Sequence, residues 1–580
     1  MSDTPPRPEY PRPQLVRAEW LNLNGRWEFE LDPGCSGEER GLAGELPYSR
    51  EILVPFCPES PLSGLGLRDF MPCVWYRRRF RVPEAWSGRS LALHCGAVDY
   101  DATVWLNGAR VGTHRGGYTP FRLDLTPHLR PGDNTLVLRA VDDTRDPLQP
   151  SGKQSPGYTS SGCVYTRTTG LWQTVWLEPL PAAHVESVRF YAQLDAGQVI
   201  LHARLSGDLT GLSLRVRALA AGEPVGQVEL PAHRAVTGVV PLAAVRRWCP
   251  ADPFLYELEL ELRSGEQTVD RVESYCGLRA VEISGPRILL NGQPLFQRLV
   301  LDQGFYPEGV YTAPSDEALR RDIELAQAAG FNGARLHQKV FEPRFLYWAD
   351  RLGYLVWGEY ADWGLDYSHP AALERVLAEW PTVIERDFNH PSIVGWCPFN
   401  ETPPTQNPEL LRTVYRLTKA LDPTRPALDT SGHVHVETEV YDCHSYVQDP
   451  AAFAALFAAA RSGGEVFRTC PEHDAPYRGQ PYLCSEYGGI WWNPGAEDDR
   501  SWGYGGTEGR PRSVEEFLAR HRGLTEALLF HPGLCGFCYT QLYDVEQEVN
   551  GLYTYDRRPK FDMALLRAVN TQRAAMEEEG

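Results

Sequence analysis

Two short apolar runs in this chain each end in a glutamate followed at once by residues that break regular structure, and that pattern narrows the fold more than any other. Ile393, Val394, Trp396 and Phe399 lead into Asn400-Glu401 and then Thr402-Pro403-Pro404. Pro481-Tyr482-Leu483-Cys484-Ser485-Glu486 leads into Tyr487-Gly488-Gly489. A short apolar run bounded by breakers reads as a fully buried strand of a parallel sheet. The carboxyl ends of such strands are where a β/α barrel carries its catalytic groups. One strand-end glutamate alone reads as half of a structural salt bridge. Two on one barrel can flank a single bond, the arrangement that glycoside hydrolysis needs.

The sequence around these runs supports a barrel. Beyond Gly277-Leu278-Arg279, apolar strands alternate with amphipathic helices, the pattern of an α/β fold. Ser315 is an expected N-cap, with Asp316 and Glu317 in the first turn, Leu319, Ile323 and Ala326 at helical spacing, and Gly330 closing the helix. Strands are expected at Leu295–Leu301, Phe331–His337, Tyr354–Tyr360, the Glu401 run, Pro426–Thr430, Val440–Tyr446, the Glu486 run and Leu534–Leu542. Eight such units predict a (β/α)8 TIM barrel over residues 279–580.

The chain before the barrel is β-rich. Residues 1–182 read as a β-sandwich, with an Asn107-Gly108 hairpin turn between two apolar arms. The Ser151 to Thr169 stretch, rich in Ser, Gly and Thr, reads as a long loop, either a functional one or, equally, a floppy surface connection. Residues 183–278 alternate cleanly, with Tyr256, Leu258, Leu260 and Leu262 interleaved with Glu257, Glu259 and Glu261. That pattern suits an immunoglobulin-like β-sandwich acting as scaffold.

A length of 580 residues requires several cores, and a net charge of −19 argues against nucleic acid or an anionic membrane as partner. The start carries no apolar leader, and no stretch is long enough to span a bilayer. Thirteen scattered cysteines read as small buried hydrophobes in a reducing compartment, so a cytoplasmic enzyme is expected. Cys535-Gly536-Phe537-Cys538 falls in a strand, where residues three apart point to opposite faces, and no second ligand pair follows. No metal and no organic cofactor is expected, and the sequence leaves a homo-oligomer open.

Other polar groups fall at expected strand ends: Arg335, His337, Glu359, Asn400, His444, Tyr446, Tyr539 and Gln541. Singly, each reads as a satisfied hydrogen-bonding partner. Together they supply donors and acceptors for sugar hydroxyls. Trp357, Trp363, Trp491, Trp492 and Trp502 could stack on sugar faces or exclude water, with loop packing as the plain alternative.

Along nearly its whole length the chain resembles glycoside hydrolase family 2. The likeness rests on Leu21-Asn22-Leu23-Asn24-Gly25-Arg26-Trp27, Val104-Trp105-Leu106-Asn107-Gly108 and Gly170-Leu171-Trp172-Gln173-Thr174-Val175-Trp176-Leu177 in the first part. It continues through Trp248, Pro253-Phe254-Leu255-Tyr256, Gly277-Leu278-Arg279, Asn291-Gly292-Gln293-Pro294, Asn400-Glu401 and Ser485-Glu486-Tyr487-Gly488. The resemblance implies that residues 1–182 form a sugar-binding jelly-roll β-sandwich and that the chain is a retaining exo-glycosidase with a carbohydrate substrate. Glu401 would be the acid/base and Glu486 the nucleophile. Asn400 would bind the hydroxyl beside the reacting carbon, while Arg335 and Tyr446 would orient Glu486. Repulsion from anionic Glu486 is expected to keep Glu401 protonated.

Substrate preference is read from departures. β-Glucuronidases of the family carry Asn-x-Lys before Gly-(Ile/Leu)-x-Thr-x-Asp-Arg to clamp the substrate carboxylate; here Glu548-Val549-Asn550 precedes Gly551-Leu552-Tyr553-Thr554-Tyr555-Asp556-Arg557. With the lysine absent and Glu548 expected to repel a uronate, a neutral sugar is expected. β-Galactoside comes first, and galactofuranoside, arabinoside and mannoside stay open. Two more departures fall at the mouth: Arg335-Leu336-His337-Gln338 replaces Arg-x-Ser-His, and Tyr539 stands where glucuronidases have tryptophan. A silent carbohydrate-binding protein on the same scaffold, or transfer to an acceptor sugar, are the alternatives.

Overall fold

The computed structural model describes residues 4–461, 463–494, 501–505 and 509–577. Its centre is a curled parallel sheet. Gln297–Asp302 pairs with Gly333–Leu336 on one side and Gly536–Thr540 on the other. From Gly333–Leu336 the sheet runs through Leu355–Glu359 to Ile393–Cys397. In the other direction it runs through Tyr482–Gly488 to Tyr441–Ser445. Helices Asp316–Ala328, Pro343–Leu352, Ala371–Asp387, Pro408–Leu421, Pro450–Leu456 and Val514–Leu529 cover its outside. The whole is a (β/α)8 barrel.

Strands buried on both faces demand matched side chains across neighbours. A Cβ on Gly395 would come within 2.6 Å of the Trp357 ring on the adjacent strand, so only glycine fits there. The Ser315 side chain caps its helix by accepting from Ala318 N at 3.2 Å.

One barrel unit departs from the expected pattern. Residues 426–431 form isolated parallel bridges, Trp396 to Ala427 and Asn400 to Ser431, in place of a continuous strand. The cause is Asp429, whose carboxylate accepts from Val436 N at 2.6 Å, Glu437 N at 3.0 Å and Thr430 N at 2.9 Å. A side chain that captures backbone donors competes with a ladder. The chain that follows Tyr441–Ser445 forms two short helices, Pro450–Leu456 and Ala458–Arg461.

Before the barrel, a four-stranded and a six-stranded antiparallel sheet span residues 21–180 and enclose Trp27, Phe29, Tyr76, Leu93, Leu106, Leu138 and Leu177. The Asn107-Gly108 turn joins Asp101–Leu106 to Ala109–Arg115 with φ of 53° and 82°, as a tight hairpin needs. Sheets of three and four strands follow between His184 and Cys276. Leu258, Leu260 and Leu262 are buried there, and Glu259 and Glu261 lie under Arg215, Arg217 and Arg271.

Candidate active site

Glu486 ends its strand among cations and donors. Arg335 reaches it from Gly333–Leu336, Nη1 donating to Glu486 Oε1 at 3.1 Å and to Ser485 O at 2.9 Å. The same guanidinium donates through Nε to Glu359 Oε1 at 2.5 Å and through Nη2 to Asn400 Oδ1 at 2.9 Å. Four donors of one rigid fork thus fix three strand ends. Tyr446 donates its hydroxyl to Glu486 Oε2, and its ring stacks on Tyr504. Burial pushes the Glu486 carboxyl up, but the charges of His444 and Arg335 outweigh both that and the repulsion of Glu401, and its pKa is lowered. Glu486 is therefore a carboxylate at neutral pH.

Glu401 follows its strand at φ 53°, in the left-handed region that side chains avoid, with its N–H donating to Ser431 O at 2.9 Å. His444 Nδ1 lies 2.8 Å from Glu401 Oε1 and 3.6 Å from Glu486 Oε2. Since both contacts are to one atom, the two oxygens stand no more than about 6.4 Å apart, so the two carboxyl groups open onto the same gap. Burial raises the Glu401 carboxyl, but the His444 hydrogen bond and the charges of His444, His433 and Lys153 hold it down at about 2. His444 is raised in turn by Glu486 and Glu401 against its burial. Glu401 is thus ionised in the unliganded site, contrary to the expected repulsion by Glu486, because His444 carries the proton between them.

The remaining floor is a chain of amides. Glu548 accepts from Asn550 Nδ2 at 3.0 Å and from the Tyr165 hydroxyl. Gln541 Nε2 donates to Asn550 Oδ1 at 2.8 Å, Gln303 Nε2 to Gln541 Oε1 at 2.8 Å, and Gln303 Oε1 meets His337 Nδ1 at 3.0 Å. That direction assigns the His337 proton to Nδ1 and leaves Nε2 as an acceptor 3.4 Å from Glu486 Oε1. Asn400 Nδ2 and Trp491 Nε1 are buried donors without a partner among the described residues, as donors that await a ligand would be. Among the described residues, Glu401, His433 and His444 bring three ligand atoms within 4.8 Å of one another, a set that could hold a metal; the hydrogen bond between His444 and Glu401 accounts for the closeness of that pair.

The first sandwich completes the mouth. Its loop docks through Ser151 N to Trp363 O at 2.8 Å and Gly152 N to Ala361 O at 3.2 Å. A Cβ on Gly152 would lie 2.2 Å from Gln338 O, so that approach requires glycine. A cavity of about 440 Å³ opens there, lined by Gly152, Gln154, Val164, Trp363, Tyr367 and Glu401.

Of the residues expected at the mouth, Glu401, Glu486, Asn400, Arg335, His337, His444 and Tyr446 converge within one hydrogen-bonded cluster, and Glu548 and Asn550 join it through the amides. Tyr539 does not. Its ring packs on Tyr487 and on His521 of the outer helix Val514–Leu529. In a strand the next residue faces the other way, and it is Thr540 whose hydroxyl meets Tyr446 at 3.2 Å. Lys153, Tyr165, Gln303, Ser431 and His433 were not singled out by their sequence context.

A carboxylate pair at this spacing on a barrel mouth, walled by a sandwich loop, places the protein among the glycoside hydrolases. Family models agree domain by domain: the sugar binding domain of glycosyl hydrolases family 2 matches residues 21–146, the family 2 middle region 183–279, and the family 2 TIM barrel domain 281–502. The chain belongs to glycoside hydrolase family 2. It is 25% identical to a β-glucuronidase of Paenibacillus borealis, over 96% of this chain and 98% of that one. It is 26% identical to the β-glucuronidase of Rattus norvegicus, over 70% and 67%. The fold superposes on a β-glucuronidase from Ruminococcus gnavus in complex with D-glucuronic acid, with TM-score 0.80 at 20% identity, covering 97% and 99% of the two chains.

These relatives overturn the expectation of a neutral sugar with β-galactoside first. The charge argument behind it took Glu548 as a free anion. In the fold both its oxygens already have donors, and burial raises its carboxyl, which weakens the expected repulsion.

Proposed function

We propose that the protein is a retaining exo-β-glucuronidase. The observation that carries the mechanism is the single imidazole nitrogen shared by Glu401 and Glu486. Glu486, held ionised by His444 and Arg335 and oriented by Tyr446, attacks the anomeric carbon and forms a glycosyl ester as the bond to the aglycone breaks. Glu401 delivers to the departing oxygen the proton it shares with His444. Esterification removes the Glu486 charge; Glu401 then takes a proton from water, which attacks the anomeric carbon, breaks its bond to the Glu486 oxygen and frees the sugar and the Glu486 carboxylate. Asn400 Nδ2, a buried donor without a partner among the described residues, would donate to the hydroxyl beside the reacting carbon. The kinship with β-glucuronidases supports the sugar.

The test is a panel of 4-nitrophenyl β-glycosides, with trapping by a 2-deoxy-2-fluoro-β-glucuronosyl fluoride. The glucuronide should be the preferred substrate, and peptide mapping should find the added sugar on Glu486. A galactoside preferred over the glucuronide, or a label on another residue, would sink the reading.

A further inference from the structure

The chain uses lysine four times among 57 basic residues: Lys153, Lys339, Lys419 and Lys560. Three have oxygen partners. Lys339 Nζ donates to Gly304 O and Tyr311 O at 2.5 and 2.8 Å, Lys419 pairs with Glu439 at 2.9 Å, and Lys560 with Asp544 at 2.5 Å. Lys153 is 5% exposed and has neither a hydrogen bond nor an ion pair through Nζ among the described residues. Its ammonium lies 4.7 Å from the Trp363 ring centroid and 5.9 Å from that of Tyr165.

Those two rings place it in the mouth. Trp363 packs edge-on to His337 and donates Nε1 to Asn400 O at 3.1 Å, while Tyr165 donates to Glu548. A buried ammonium loses several kcal/mol of solvation, roughly, which face-on aromatic contact does not restore. Burial lowers its pKa, but Cys163, Glu548, Glu486 and Glu401 outweigh this and hold it charged. Three N–H donors stay unspent beside the sugar pocket.

We propose that Lys153, carried to the barrel mouth by the first-domain loop, binds the carboxylate of a uronic-acid substrate and sets the preference for a charged sugar. This rests on the β-glucuronidase reading for its substrate. An ammonium from the sandwich then supplies the cation that Glu548-Val549-Asn550 lacks, and the loop is part of the specificity site.

The test compares wild type with Lys153→Met and Lys153→Gln on 4-nitrophenyl β-D-glucuronide, its methyl ester and the β-D-glucoside, and measures binding of D-glucuronate and D-glucose to each intact protein. Loss of a charge-assisted hydrogen bond should lower kcat/KM for the glucuronide about 10- to 100-fold. The ester and glucoside should change little, and glucuronate binding should weaken in step. Wild type that treats acid and ester alike, or variants that lose all substrates equally, would overturn the proposal. If glucuronate binding depends on Lys153 but no glucuronide is cleaved, the carboxylate site stands and the catalytic reading falls. A variant that fails to fold leaves the acid-to-ester comparison on wild type to decide.

Discussion

His444 Nδ1 sits 2.8 Å from the carboxylate oxygen of Glu401, and its Nε2 meets Ser431 Oγ at 3.0 Å. The imidazole is thereby fixed edge-on to the group that must give up a proton. With His444 raised and Glu401 held at about 2, the pair shares one proton and titrates as a unit.

That sharing predicts a pH profile. Activity requires Glu486 ionised and one proton on the pair. The acid limb of kcat/KM should lie below the ordinary glutamate value, because Glu486 is lowered. The alkaline limb should lie above the ordinary histidine value, because His444 is raised. His444→Gln removes the cation that holds Glu401 down, so Glu401 keeps the proton itself and the alkaline limb should move to lower pH. An alkaline limb that does not move would exclude the shared proton.

Glu401 should matter in proportion to how poor the leaving group is. Glu401→Gln should lower kcat on phenyl or alkyl β-glucuronides about 10²- to 10⁴-fold. On 2,4-dinitrophenyl β-glucuronide, which leaves without a proton, formation of the ester should be nearly unaffected, and azide should accelerate turnover and yield the β-glycosyl azide. Equal losses on both substrates would remove Glu401 from the acid/base role.

The strand-end carboxylates and their neighbours were legible because burial and breakers leave marks in a local stretch: Ile393 to Pro404 shows its strand, its turn and its charge together. What was not legible depends on contacts between distant segments. His433 and Ser431 belong to a turn bent by Asp429, which the apolar pattern of 426–430 conceals. Tyr539 and Thr540 exchange faces with a shift of one residue, and the run Leu534–Leu542 is apolar on both faces, so periodicity does not say which points inward. Lys153 lies in a loop marked by composition as a long connection, and the barrel ring it meets, Trp363, is 210 positions further on. The scarcity of lysine in so arginine-rich a chain was a usable signal. The sugar preference failed because it judged Glu548 without the Tyr165 and Asn550 that satisfy it.

Arg335 is a structural keystone as well as a site residue. Arg335→Met would leave Glu359, already raised to about 7 by burial, and Glu486 without their shared cation in the barrel centre. Removing one member of a buried ion network costs about 3–5 kcal/mol, so the thermal midpoint should fall by several degrees and activity should be lost. Adding Glu359→Gln to Arg335→Met should restore part of the midpoint and none of the activity. A midpoint unchanged in the single variant would mean that the network is not holding the strand ends.

Glu379 couples the first sandwich to the barrel and should make that junction sensitive to pH. It lies buried on helix Ala371–Asp387 and accepts from Tyr118 N and from the Tyr360 hydroxyl, each at 3.0 Å. Burial raises its carboxyl from 4.5 to about 7 against those two hydrogen bonds. The folded state therefore holds a proton that the unfolded chain releases between those values. Its contribution to stability is full below pH 4.5 and declines as pH rises through 7. Glutamine keeps an acceptor for Tyr118 N and offers an amide to Tyr360, with no proton to lose. Glu379→Gln should thus be more stable than wild type at pH 8, by on the order of 2–3 kcal/mol, and the difference should close toward pH 5. Thermal unfolding across that range reads the difference directly, and a gap that is constant with pH, or that widens toward acid, would show that Glu379 is not the group titrating at the junction.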